Sequence, residues 1–291
     1  MRFSDLVDRA KGIERKRLVI ANAEKENEIK AVEQAFELGI IEPILTGDPL
    51  KLSQYSNRFE VIPASGSEDA VKKAVSMVRD NKADLLLKGT VSTSLFLKGV
   101  LNKERGLRGR GVLSHIALLD IPSYTKILFI TDGGMCIHPD LKTKVEIIKN
   151  AISFAASIGI KKPKVGLLSA VEVVNTDMKD TEDWAVITKM YQRGEFKDAI
   201  IDGPLAMDIL LSKEAAEIKG INTPVAGDVD VIIVPDIITG NSVAKALLYL
   251  SPGVQAAGII AGASRPVVML SRADSAETKL NSIILGVVCY S

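Results

Sequence analysis

Residues 267–283, VVMLSRADSAETKLNSI, change character in their middle. Val267 to Leu270 are apolar, Ser271 to Ser275 are small or charged, and a run with helical spacing follows. A strand buried on both faces that gives way to a helix across a polar turn is the building unit of a parallel sheet covered by helices. Other short runs rich in Val, Ile and Leu repeat the pattern: RLVIA (17–21), EPILTG (42–47), FEVIP (59–63), ADLLLKG (83–89), ILFIT (127–131), KVGLLS (164–169), DAIIDG (198–203), DVIIVPD (230–236) and AAGIIAG (256–262). Between them lie NEIKAVEQAFELG (27–39), EDAVKKAVSMVRDNK (68–82), DLKTKVEIIKNAISFAASIG (140–159) and DTEDWAVITKMYQRG (180–194), with apolar residues at helical spacing. Gly39, Gly159 and Gly194 are placed to end three of these helices. The alternation predicts an α/β fold with parallel strands, the strand of the opening stretch closing at Leu270.

A chain of 291 residues exceeds one domain of ordinary size, so two domains are expected. With 37 Lys and Arg against 36 Asp and Glu, the net charge is +1. That balance excludes a general field for nucleic acid or a membrane surface, so any basic site must be local. The N-terminus lacks the apolar core of a secretion signal, and no apolar run approaches the roughly 20 residues of a membrane span. The chain reads as cytoplasmic. Cys136 and Cys289 are too few for a disulfide framework and do not form a CxxC pair, which removes structural zinc on thiolates.

In open parallel sheets, ligands bind beyond the carboxyl ends of the strands. The endings to search are Lys88-Gly89-Thr90-Val91-Ser92, Thr131-Asp132-Gly133-Gly134, Asp202-Gly203, Pro235-Asp236 and Ser271-Arg272. Each also has a local explanation, because glycine, serine and aspartate end strands and cap helices. GLRGRG (106–111) has the wrong glycine order for a dinucleotide fingerprint, and neither a GxxxxGK[ST] phosphate loop nor a GxSxG elbow is present. Asp132, His138 and Asp140 in TDGGMCIHPD (131–140) offer too few oxygen ligands for a hard cation, and Asp140 reads as the cap of a helix starting near Leu141. Asp132 ends a strand and precedes two glycines that allow a ligand close to the backbone.

Several longer segments together resemble the phosphate acyltransferase family, which comprises phosphate acetyl- and butyryltransferases. They are EFKDAIIDGPLAMDILLS (195–212), PVAGDVDVIIVPDIITGNSVAKAL (224–247) and GIIAGASRPVVMLSRADS (258–275). SRADSAETKLNS, RGVLSHIALLDIP (110–122) and FITDGGMCIHPDLKTKVEIIKNA (129–151) are more similar to the butyryl branch. The resemblance runs over essentially the whole chain. It implies two α/β domains with a cleft between them, as in the isocitrate and isopropylmalate dehydrogenases. By that analogy residues 1–110 and 268–291 form the first domain, and residues 111–267 form a second through which two copies pair. It implies reversible transfer of a short acyl group, butyryl on this branch, between CoA and inorganic phosphate. The small molecules are substrates, with no metal or redox cofactor and no nucleic acid or membrane partner.

The resemblance also assigns roles, which the side chains can meet. Arg272 offers a bidentate fork for a phosphate or acyl phosphate, and Ser271 donates a hydrogen bond to the oxyanion formed at the acyl carbonyl. The acetyl enzymes place a catalytic aspartate seven residues after the serine, where this chain has Thr278. Asp274 and Glu277 are the candidate replacements as proton acceptor, Asp274 favoured, although their D-x-x-E spacing is also that of a helix capping box. Lys98 stands where the acetyl enzymes have an arginine. Thr90 and Ser92, in GTVSTS (89–94), are suited to cradling phosphate. Asp236 and Asn241 match the VPDIITGN motif and are expected at the ligand, Asn241 with a cap of the next helix as the other reading.

Three competing readings are acetyl rather than butyryl transfer, a hydroxy-acid dehydrogenase of the same fold, and a non-catalytic domain that binds acyl-CoA or phosphate. The dehydrogenase needs clustered aspartates for a divalent metal, which VPDIITGN does not supply. The binding domain has no need of a paired Ser271 and Arg272.

Overall fold

The computed structural model describes residues 1–109, 111–271 and 273–290, without the side chain of Asn27. In chain order the elements are α1 (Phe3–Lys11), β1 (Lys16–Ala21), α2 (Glu26–Glu37), β2 (Ile41–Gly47), α3 (Pro49–Leu52), β3 (Glu60–Pro63), α4 (Ser67–Arg79), β4 (Leu85–Lys88), α5 (Thr93–Val100) and β5 (Ser114–Asp120). They continue with β6 (Leu128–Thr131), α6 (Leu141–Ser157), β7 (Lys164–Leu168), α7 (Lys179–Gln192), β8 (Ile200–Leu205), α8 (Met207–Leu211) and α9 (Lys213–Ile218). The last are β9 (Val231–Ile233), α10 (Ile237–Leu250), β10 (Gln255–Ala261), β11 (Val267–Val268) and α11 (Ala276–Tyr290). The fold is mixed α/β. None of the described helices is long and apolar enough to cross a membrane.

The chain divides into two compact units, Met1–Leu113 with Gln255–Ser291, and Ser114–Val254. The expected limits of 110 and 268 differ from these, most at the return, because β10 is hydrogen-bonded to β11 and belongs with it. Within the first unit the strand order is β3-β2-β1-β4-β11-β10. Its neighbours run parallel except β10 and β11, which are antiparallel. β4 is buried throughout, and Leu18 to Ala21 of β1 are buried, as strands covered on both faces require. α11 closes this unit against α1, α2 and β10, burying Ile283 to Leu285, Val287 and Val288.

The second unit has the order β5-β6-β9-β7-β8, parallel except for β5 against β6. Strand β5 escaped the sequence reading because SHIALLD alternates buried and half-buried residues at its start instead of forming one apolar run. The purely parallel arrangement is therefore corrected at two places. β11 is also shorter than expected, stopping at Val268 rather than Leu270, and Met269 and Leu270 already belong to the turn. The three glycines after α2, α6 and α7 do end those helices, with φ of 75°, 95° and 88°.

Candidate functional site

In the first unit β1, β4 and β11 run the same way, so three consecutive strands open onto one edge. β1 is followed by Asn22, whose φ of 67° turns the chain aside. The Asn22 side-chain amide donates to the carbonyl of Thr90 at 2.7 Å and to Ser67 Oγ at 3.3 Å, and the Thr90 N–H donates to the Asn22 carbonyl at 2.8 Å. A Cβ on Gly89 would lie 2.5 Å from the Asn22 carbonyl oxygen, so this position must be glycine for the two strand ends to meet. Thr90 Oγ1 then donates to Glu28 Oε2 at 2.9 Å. Ser92 accepts the Leu95 N–H at 3.3 Å and caps α5, so its hydroxyl serves the helix.

β11 pairs with β4 through Val267 with Leu86 and Val268 with Leu87. Three residues past the last pair stand Ser271 on one chain segment and Thr90 on the other. The turn at Ser271 is held internally. Its N–H donates to Asp274 Oδ2 at 2.8 Å, the Asp274 N–H donates to the Ser271 carbonyl at 3.2 Å, and Ser271 Oγ accepts the Ala273 N–H at 3.3 Å. Arg272 lies outside the described residues.

The capping box drawn from Asp274 and Glu277 is corrected. The cap of α11 is Ser275, whose Oγ accepts the Thr278 N–H at 3.1 Å and meets Thr278 Oγ1 at 3.1 Å. α11 begins at Ala276, which puts Ser275 and not Asp274 at the position before its first residue. Glu277 is exposed and accepts from the Gln255 amide at 3.1 Å. Lys98 is in the last turn of α5, in a groove of about 190 Å³ with Val71, Val75, Leu95 and Arg105.

Three charged groups under this edge were not foreseen as a cluster. Glu28 is 5% exposed, and Lys88 and Lys279 are each 6% exposed. Lys279 Nζ donates to the Asp274 carbonyl at 2.8 Å and so ties α11 to the Ser271 turn. Burial pushes the Glu28 carboxyl above the usual range, against the opposing pull of the Thr90 hydrogen bond and the positive charges of Lys279, Lys88 and Lys25. A signal was present in the sequence: Glu28 sits on the same helical stripe as the buried Ala31, Val32 and Ala35, and Lys279 on that of Ser282 and Ile283. A charge on a buried stripe requires a partner or a function.

In the second unit, Asp132 follows β6 and is 2% exposed. Its Oδ1 accepts the N–H groups of Gly134 at 2.7 Å and Met135 at 2.8 Å, and its Oδ2 those of His115 at 3.1 Å and Cys136 at 3.2 Å. Burial and the Asp132 charge push the Cys136 thiol up to about 12, which leaves it protonated and a poor nucleophile at neutral pH. Gly133 packs on Gly240 of α10, where a Cβ on either would come within 2.7 Å of the other's backbone. Asp236 caps α10 by accepting the Thr239 N–H at 2.8 Å. Asn241 is thus inside the helix, not its cap, and donates to the Gly133 carbonyl at 3.2 Å. The structure therefore brings Asp132 and Asn241 together at the Gly133 turn, with Asp236 at the cap of the same helix as Asn241. Asp140 caps α6 through the Thr143 N–H at 2.8 Å, as its place before Leu141 predicts. No group of three or more His, Cys, Asp or Glu suited to a metal occurs among the described residues.

The turns after β4, β6, β9 and β11 lie in the part of the chain that a known family covers, and Asn22 and Glu28 precede it. The model of the family described as phosphate acetyl/butaryl transferase matches residues 59–287. The chain belongs to this family of phosphate acyltransferases. Within it, the phosphate butyryltransferase of Clostridium acetobutylicum is 42% identical, over 98% of this chain and 96% of that protein. The probable phosphate butyryltransferase of Bacillus subtilis is also 42% identical, over 100% and 98%. Among solved structures, a branched-chain phosphotransacylase from Enterococcus faecalis shares the fold with a TM-score of 0.86 at 30% identity, covering 94% of this chain and 99% of that one. Family membership and the edge formed by β1, β4 and β11 direct attention to the same segment, since the SRADS turn falls inside the matched range.

Proposed function

We propose that the chain catalyses the reversible reaction butanoyl-CoA + phosphate = butanoyl phosphate + CoA. The observation that carries this reading is 42% identity to two phosphate butyryltransferases over almost the entire chain. Acetyl transfer is the related activity. One methylene in an acyl pocket changes discrimination by only about 1 to 3 kcal/mol, so the two activities differ in degree.

Both substrates are held at once and the acyl group passes directly, since binding two reactants side by side supplies much of the rate. Ser271 donates to the oxyanion of the tetrahedral intermediate, and Arg272 takes the phosphate in a forked contact. The Ser271 hydroxyl is a donor and not a nucleophile, because no histidine or lysine base is bonded to it among the described residues. Asp274 holds Ser271 through its N–H. Thr90 and Ser92 line the phosphate side, with Lys98 and Glu277 as outlying charged groups. Asp132, Asp236 and Asn241 shape the Gly133 turn, which offers backbone to a ligand while their own polar atoms hold the loop.

The two units are the two domains of a dehydrogenase-like arrangement, and the second pairs two copies of the chain. Support for the pairing comes from α10, an apolar helix in which only Gly240 is buried and Ile238, Tyr249 and Leu250 are exposed. The enzyme works in the cytoplasm, with CoA and phosphate as substrates and no resident cofactor.

Purified protein given butanoyl-CoA and phosphate will release free thiol. Absence of thiol release with every acyl-CoA from acetyl to hexanoyl overturns the reading. Arg272→Lys will lower the rate about a hundredfold with the fold intact, as loss of a forked transition-state contact implies. Near-normal turnover in that variant removes Arg272 from the site.

A further inference from the structure

The acyl transfer needs a group to take the proton of the CoA thiol, and the position of the acetyl enzymes' aspartate is Thr278, which is engaged at the cap of α11. The two carboxylates nearest in sequence serve the architecture. Asp274 accepts the Ser271 N–H and Glu277 is exposed beside Gln255. We propose that Thr90 and Glu28 form the proton relay of the reaction, Thr90 Oγ1 accepting the thiol proton as its own hydrogen passes to the Glu28 carboxylate. This rests on the acyltransferase reading given above.

Three observations support it. Thr90 donates its only hydroxyl hydrogen to Glu28 at 2.9 Å, so what it offers on its other side is lone pairs, and a neutral hydroxyl becomes an acceptor of fixed direction. The N–H and carbonyl of Thr90 are both held by Asn22, which fixes the residue in place. β4 and β11 are adjacent parallel strands, paired at Leu87 and Val268, so Thr90 and Ser271 follow the carboxyl ends of neighbouring strands. The charged groups facing Glu28 are Lys25 on its own element, Lys88 at the end of β4 and Lys279 on α11. Burial nevertheless raises the carboxyl, and a base whose pKa approaches the working pH is the more effective proton carrier.

The step balances without any further reactant. The thiol proton moves to Thr90 Oγ1 and the Thr90 hydrogen to Glu28 as sulfur bonds to the acyl carbon. The acyl carbon–oxygen bond then breaks, its electron pair leaves on the phosphate oxygen, and the relay returns the proton there, giving hydrogen phosphate. In reverse, hydrogen phosphate gives up its proton through the same pair and the departing thiolate regains it. Glu28 starts ionised in both directions, so both rates should rise with pH through its pKa.

The test compares the full-length protein with Glu28→Gln and Thr90→Val, measuring kcat, KM for CoA and the pH profile with butanoyl phosphate. Each variant should lose about 10² to 10⁴ in kcat with little change in KM, the range general acid–base catalysis commands. The limb that rises with pH in the parent should be flat in Glu28→Gln. Thr90→Ser, which keeps the hydroxyl, should exceed Thr90→Val by at least tenfold, and this pair decides the matter if Glu28→Gln does not fold. Parental kcat with the parental pH limb in Glu28→Gln, or equal rates for Thr90→Ser and Thr90→Val, overturns the relay. An inactive parent would instead refute the acyltransferase reading itself.

Discussion

Glu28 in the first unit and Asp132 in the second are both buried acids beside strand ends, yet their surroundings differ. Asp132 receives four backbone N–H groups. Glu28 receives one hydroxyl hydrogen from the described residues and shares its neighbourhood with the charges of Lys279, Lys88 and Lys25. Asp132 is a carboxylate whose charge the fold meets with four donors, and Glu28 is one whose charge the fold tolerates at a cost. Burial alone does not separate an acid that builds a loop from one available for chemistry; the number and kind of its donors do.

Substitution separates them further. Asp132→Ala should be the most damaging, leaving four N–H groups without their acceptor and costing about 3 to 5 kcal/mol in urea unfolding. A loss below about 1 kcal/mol would mean that water replaces the carboxylate. Ser275→Ala should cost about 1 kcal/mol, because it removes the cap of α11, and an unchanged midpoint would return the capping role to Asp274. The smallest effect is expected from Glu28→Gln. A carboxyl raised in the folded state contributes stability that is present below its unfolded pKa and is lost as pH rises through its folded pKa. The melting temperature of Glu28→Gln relative to the parent should therefore rise from acid to alkaline pH, and a difference that does not change with pH would show that Glu28 gains no proton on folding.

Much of the fold was readable because strands covered on both faces leave continuous apolar runs, and ten such runs coincide with β1 to β4 and β6 to β11. β5 was missed because a strand with one half-covered face carries a mixed pattern. Ser271 and Thr90 were singled out through their place at strand ends, and each does follow the end of its strand, β11 and β4. Glu28 and Lys279 were passed over because each sits inside a segment whose apolar spacing already accounted for it as a helix. Their importance depends on neighbours 62 residues away in one case, as Thr90 is from Glu28. No local pattern encodes such a pairing.

The two-residue strand β11 occupies the slot between β4 and β10, although β4 leaves the ribosome long before it. Until residue 268 emerges, β4 presents an unpaired edge of four apolar-flanked positions while the whole second unit is being made. Such an edge invites pairing with other chains. The order of synthesis thus sets a period of vulnerability for the nascent polypeptide, which ends when Val267 and Val268 arrive, and the same two residues carry the chain into the Ser271 turn.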